Sequence, residues 1–269
     1  MTATTYPSPP VPNVRATATR RAVKAEWTKL RTLPSTWRTV AMTVVAAIGF
    51  STLATAVQAS AWATMGAQQR QAFDPTSTSL TGLWVAVVIL GALGVRSVAA
   101  EYTSGMVRTT FTAMPARRLV LAAKAATAAV FVFPLALVCD VVSFELGQRI
   151  LAGKHIQVAI AHPGALQALI FGALAASLVT MVGVGLAGVI RHTAGAVTAL
   201  AMLILGGAIF GQMLPAGLRQ YIPGIAVQAA VTVHRSAGLL RPGTAVLVLC
   251  AYAAIALGAA ALRVAHRDV

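Results

Sequence analysis

Six apolar runs, each about 20 residues or longer, leave this chain few ways to fold. An α-helix rises 1.5 Å per residue, so about 20 residues cross the roughly 30 Å of a bilayer's hydrocarbon core. Inside that core a backbone can satisfy its polar groups only within a helix or a closed barrel. The runs cover residues 39–64, 80–100, 119–144, 164–190, 194–214 and 243–262. Composition points the same way. The chain is 58% hydrophobic and 10% charged, against about 45–50% apolar and about 25% charged in soluble domains. The expected fold is an all-α membrane protein with six transmembrane helices, residues 39–269 forming one transmembrane domain.

Orientation follows from Lys and Arg, which collect on the cytoplasmic side. Seven lie between Arg15 and Arg38, before the first run. Arg108, Arg117 and Arg118 lie between the second and third, Arg191 between the fourth and fifth, and Arg263 and Arg267 after the last. The opposite side holds six: Arg70, Arg149, Lys154, Arg219, Arg235 and Arg241. Thirteen against six puts both termini in the cytoplasm of a multi-pass plasma-membrane protein. Arg96 and Lys124 fall inside runs but near their cytoplasmic ends, where long side chains are expected to snorkel outward. A net charge of +15 would suggest nucleic acid in a soluble protein. Here the cations flank apolar runs, so anionic lipid is the expected counter-charge and nucleic acid is not an expected partner.

A charge at the bilayer centre costs about 2.5–3.5 kcal/mol, and no acid is expected at mid-span. Asp140 and Glu145 come closest and read as solvated groups at an outer helix end. That disfavours a proton-coupled secondary transporter. His155 and His162 share an outer loop without Cys or carboxylate company and read as surface residues, with no metal site expected. Cys139 and Cys250 read as buried, inert thiols. No Ser-His-Asp arrangement or H-E-x-x-H suggests catalysis, and no G-x-x-x-x-G-K-[ST] loop is present to cradle phosphates.

Ahead of the first run, residues 1–19 carry Pro7, Pro9, Pro10 and Pro12 and read as a disordered tail. No apolar signal-peptide core is expected before residue 39. Residues 20–38, "RRAVKAEWTKLRTLPSTWR", place Val23, Trp27 and Leu30 at i, i+4 and i+7 with Lys24, Lys29 and Arg31 elsewhere around the helix. This predicts an amphipathic interface helix anchored by Trp27, Lys29 and Arg31 and ended by Pro34. Between the second and third runs lies "AEYTSGMVRTTFTAMPARRLVLAAK". There Glu101, Gly105 and Arg108 share one face of a short helix, with Tyr102 and Met106 on a neighbouring one. From the residues alone, Glu101 either faces a partner or caps charge within a connecting loop.

These two stretches carry a resemblance. "AEWTKLRTLPSTW" and "EYTSGMVRTTFTAMPARRLVLAAK" resemble the opening helix and the Glu-x-x-Ser-Gly-Thr-x-Arg…Pro-x-Arg…Lys pattern of bacterial, in particular actinobacterial, ABC-2 type transporter permeases. The resemblance covers nearly the whole chain after about residue 20. Met106 stands where that pattern has a small Thr, and Pro34 where a basic residue is frequent. The resemblance implies that the loop forms a cytoplasmic coupling helix docking on a separate ABC ATPase subunit through Glu101, Tyr102, Gly105 and Arg108. It implies no enzymatic activity and no bound cofactor for this chain, ATP and Mg²⁺ being used by the partner ATPase. A second permease, either another copy as a homodimer or the other member of a paired set, is also implied.

The function expected is export of a hydrophobic or amphiphilic substrate such as a drug, antibiotic or lipid. Thr81, Trp84, Thr198 and Gln212 are candidate path residues. Residues 215–243, broken at Pro223 and Gly224, read as a pair of short outer helices. A non-transporting membrane scaffold or immunity protein, and less readily a secondary transporter, are the alternatives.

Overall fold

The computed structural model describes residues 14–103, 117–233 and 238–266. Among them the regular structure is helical, with no strand. Helix α1 (Val14–Thr32) is separated by one residue from α2 (Pro34–Ala61). Pro34 sits in the first turn of α2, where a missing amide donor costs nothing; the proline read as a stop is also a start. A 3-10 turn (Trp62–Thr64) and two short helices, α3 (Ala67–Gln71) and α4 (Pro75–Ser79), lead into α5 (Leu83–Thr103). After the interval to residue 117 come α6 (Arg117–Ala152) and α7 (Ala165–Ile190). Then follow α8 (Thr193–Ala201), a π-helical turn (Met202–Gly206), α9 (Gly207–Phe210) and a 3-10 turn (Gly211–Met213). The chain continues through α10 (Ala216–Arg219), α11 (Pro223–Val231) and α12 (Pro242–His266).

Five helices among the described residues are long and apolar enough to cross a membrane: α2 with its 3-10 extension, α5, α6, α7 and α12. The fifth apolar run, 194–214, is helical but not one helix. A hydropathy count registers length, not regularity, and this run carries Gly195, Gly206, Gly207 and Gly211, each weakening a helix by about 1 kcal/mol relative to Ala. Packing exploits the weakness. A Cβ on Gly224 of α11 would lie 2.1 Å from the Ile204 carbonyl oxygen inside the π turn, so the irregular backbone is pressed directly against α11. The pair of short helices expected in 215–243 is present as α10 and α11, with Pro223 in the first turn of α11.

Helix α7 forms the centre of the bundle. Its most apolar window is 67% buried, against 22% for α2 and for α12, and it packs on α5, α6, α12 and α8. Small residues allow the close approach: a Cβ on Gly183 would fall 2.3 Å from the Gly91 oxygen of α5, and one on Gly185 would fall 2.5 Å from the Ala256 carbonyl carbon of α12. The exposed faces of α2 and α12 carry Val45, Leu53, Val57, Leu247 and Ile255, a surface suited to lipid tails. Cys250 lies on an exposed face of α12, not in the core where it was expected, while Cys139 is buried.

Contacts between helix ends define the two poles of the bundle. Arg263 near the end of α12 donates to the Val189 oxygen at the end of α7, at 2.7 Å. Arg191, just past α7, lies 5.4 Å from the centre of the Tyr102 ring at the end of α5. Glu101, one residue earlier, accepts from Lys29 of α1 at 2.7 Å. Thus α1 and the last turns of α12 share one pole, the one rich in Lys and Arg.

Candidate functional site at the basic pole

Four helices bring periodic faces together here. α1 contributes Glu26, Lys29 and Leu30, with Leu33 just past its end; α2 contributes Ser35, Thr36 and Thr39; α5 contributes Leu93, Arg96, Ser97, Ala100 and Glu101; α6 contributes Lys124 and Ala128. On α5 the spacings are i, i+3, i+4, i+7 and i+8, the single-face rows of a helix. They line a cavity of about 400 Å³.

At its base four charges close a ring. Lys124 Nζ donates to Glu101 Oε1 at 2.6 Å and is ion-paired with Glu26 Oε1 at 2.9 Å. Lys29 Nζ donates to the same two atoms at 2.7 and 3.0 Å. Lys124 also donates to the Ser97 carbonyl oxygen at 3.2 Å, so its ammonium has two hydrogen-bond acceptors and a second carboxylate beside it. That pairing is what permits a lysine side chain only 4% exposed in an apolar bundle, since a buried ammonium without partners is prohibitively costly. The snorkelling expected of Lys124 therefore does not occur: two carboxylates come to it. Burial by itself would lower the Lys29 pKa. The hydrogen bonds to Glu101 and Glu26, with their charges, outweigh it and hold Lys29 above its ordinary 10.5.

Aromatic contacts fix α1 in this position. Trp27 meets Phe131 of α6 edge to face, ring centres 6.1 Å apart. The Trp37 indole donates to the Arg31 carbonyl oxygen at 2.9 Å, satisfying one of the carbonyls left open at the end of α1. The face of α1 that packs inward carries Ala22, Glu26 and Leu30, while Val23 is exposed. The apolar stripe read through Val23 is thus rotated by one residue, because a charged pair, not apolar area alone, sets the contact. Arg31 is exposed.

Of the residues predicted to couple to a partner, Glu101 and Tyr102 close the last turns of α5, and Gly105 and Arg108 lie outside the described residues. Glu101 is held inside the ring, and Tyr102 lies under the Arg191 guanidinium. Arg191 itself has φ +60°, a left-handed helix end more usual for glycine.

The candidate path residues divide. Thr81 and Trp84 line a second cavity, of about 210 Å³, with Ser77, Thr78, Gln228 and Val231. Thr198 is exposed on α8 and does not join them. Gln212 lies in the 3-10 turn, and its side chain is not among those described.

At the far pole Asp74 does work that the sequence did not reveal. Its Oδ1 caps α4, accepting from the Thr76 and Ser77 amides at 2.9 and 3.2 Å, and its Oδ2 accepts from the Val233 amide at 2.8 Å. Gln148 of α6 donates to the Pro75 oxygen and to Ser79 Oγ, and accepts from the Val158 amide. A polar residue just before a proline and an apolar run is a helix-cap signal, and it could have singled out Asp74. His155, His162 and Glu145 are exposed, as read. Asp140 is not at a solvated helix end. It is 4% exposed, lies against Gly172, and its Oδ2 has no hydrogen-bond partner among the described residues. The error came from counting along α6 as if it ended at its apolar run; the helix continues to Ala152.

A family model described as "ABC-2 family transporter protein" matches residues 22–207, from the inward face of α1 to the start of α9. A comparison with curated proteins finds no match.

Proposed function

The chain belongs to the ABC-2 family of transporter proteins, and on that premise we propose that it is the permease subunit of an ATP-driven exporter. As a permease of this family it is a membrane transport component, not itself catalytic, and it pairs with an ABC ATPase subunit. In the proposed assembly two permease copies form a homodimer with two ATPases, which bind and hydrolyse ATP with Mg²⁺. The substrate is a hydrophobic or amphiphilic molecule, moved outward.

Six crossings with both termini cytoplasmic are proposed, the fifth being the interrupted segment from Thr193 to Met213. Its 21 residues span about 31 Å at helical rise. An even number of crossings is supported by the shared pole of α1 and the end of α12, and the cytoplasmic assignment by the basic residues there. In this reading α1 lies at the membrane surface.

The observation that carries the mechanism is the four-charge ring. It ties α1 and α6 to Glu101, three residues before the segment 104–116 that would dock on the ATPase. When the ATPases close, a push on that segment would move α1, α5 and α6 as one unit, a rigid-body transmission. The outer cavity at Thr81 and Trp84 is the nearest candidate for the exit path, with Thr198 and Gln212 kept as path candidates from the sequence. Co-expression with an ABC ATPase encoded beside the gene tests the reading. The ATPase should co-purify, and Arg108→Glu should sharply weaken the complex while Arg149→Gln, at the opposite pole, leaves it intact. Failure of any such ATPase to bind, or indifference to Arg108→Glu, overturns it.

A further inference from the structure

Beside the ring the cavity holds a charge that no described residue balances. Its carboxylates, Glu26 and Glu101, are both engaged by Lys29 and Lys124. Its fifth charged residue, Arg96, forms no ion pair or hydrogen bond among the described residues and is exposed. The cavity therefore carries one positive charge in excess, located at Arg96. The residue lies within the apolar window Leu83–Tyr102, six residues before its end, or about 9 Å below it at helical rise. In the membrane-embedded reading that lies beneath the headgroups, a depth from which the long side chain snorkels up toward them.

The rest of the lining is suited to a molecule with a charged head and an apolar body. Leu30, Leu33, Leu93, Ala100 and Ala128 supply apolar wall, and Ser35, Thr36, Thr39 and Ser97 supply hydroxyls. Leu33, Arg96 and Ala100 are exposed, so the cavity opens along the edge they form.

We propose that this cavity between α1, α2 and α5 binds the headgroup of an anionic phospholipid from the surrounding leaflet, its phosphate on Arg96 and its upper acyl chain against Leu33 and Leu93. A guanidinium matches phosphate in a two-pronged contact, and the cavity, within the roughly 300–1,000 Å³ of small-ligand sites, admits the head while the tails stay in the bilayer. A lipid is favoured over a soluble anion because most of the wall is apolar and the charge lies below the membrane surface. The proposal rests on the membrane-embedded reading but not on the ATPase. Bound there, the lipid touches α1, α2 and α5 at once and would brace the ring.

The test uses the purified full-length chain in detergent and native mass spectrometry with phosphatidylglycerol and phosphatidylcholine of identical acyl chains. The wild type should retain phosphatidylglycerol roughly fivefold better, the factor expected for one Arg beside an anionic headgroup. Arg96→Gln should abolish the preference and Arg96→Lys keep most of it. Ala100→Phe, which narrows the opening without removing a charge, should reduce retention of both lipids, and Arg149→Gln should change nothing. Equal retention of the two lipids by the wild type, an unchanged preference in Arg96→Gln, or unchanged retention in Ala100→Phe overturns the proposal. So does full displacement by millimolar inorganic phosphate, which would show that the site takes the anion alone. Should Arg96→Gln fail to fold, the wild-type preference and Ala100→Phe still decide. The assay contains no ATPase, so its failure leaves the permease reading untouched.

Discussion

The two poles of the bundle are fastened by different chemistry. At the basic pole, charged side chains from α1, α5 and α6 meet each other. At the opposite pole, Asp74 and Gln148 reach mainly backbone amides and carbonyls. A carboxylate on backbone amides has partners fixed by the fold, so such a clamp is either made or broken. A ring of lysines and glutamates can exchange partners within itself, because each lysine already reaches both carboxylates. In the function proposed above, the first arrangement suits a pole that holds outer connections together, the second a pole that passes on movement while staying satisfied.

The most disruptive way to probe this difference is to remove the buried lysine. Lys124→Met leaves Glu26 and Glu101 sharing Lys29, and breaking a buried pair in this way costs on the order of 3–5 kcal/mol. Thermal unfolding in detergent should show a large loss, and adding Glu101→Gln should recover much of it. No recovery would mean that the ring acts by shape, not by charge.

At the other pole Asp74→Ala removes acceptors from three amides and should cost about 1–3 kcal/mol. Asp74→Asn should cost less, since one carbonyl oxygen remains. Here a compensating charge change should bring no rescue, and if one does, the contrast between the poles fails.

A smaller effect should appear with pH. The folded-state pKa of Lys29 lies above its ordinary 10.5, so its contribution is complete below that value and is lost as pH rises through the folded one. Stability measured across this alkaline window should fall in the wild type and fall less in Lys29→Met. With the side chain 39% exposed, the difference should shrink in high salt. Least of all is expected from Arg149→Gln: the residue follows Gln148 but is exposed and forms no ion pair or hydrogen bond among the described residues, so no measurable change in stability should follow.

The sequence made the bundle legible wherever the information was local. The apolar runs located α2, α5, α6, α7 and α12 within a few residues, except that α6 extends eight residues beyond its run, through Gln148 to Ala152. The two short helices of 215–243 were readable from Pro223 and Gly224. The site was legible only in part. Glu101, Trp27 and Lys29 were singled out, but Glu26, quoted within the opening motif, was given no role, although it stands one turn from Lys29 on the same face of α1.

By itself, then, the sequence determined where the chain is apolar enough to span, where its positive charge collects and which family it belongs to. These follow from hydropathy, charge counts and short motifs, properties that each segment carries alone. Only the tertiary structure decided that Glu101 turns inward to Lys124 and Lys29, the latter 72 positions away. It also decided that Asp140 is buried, that the fifth run breaks against α11, and that Arg96 is left as the unbalanced charge of a cavity. Each depends on which helices become neighbours, and a buried charge is tolerable or costly only according to what the neighbouring helix brings to meet it.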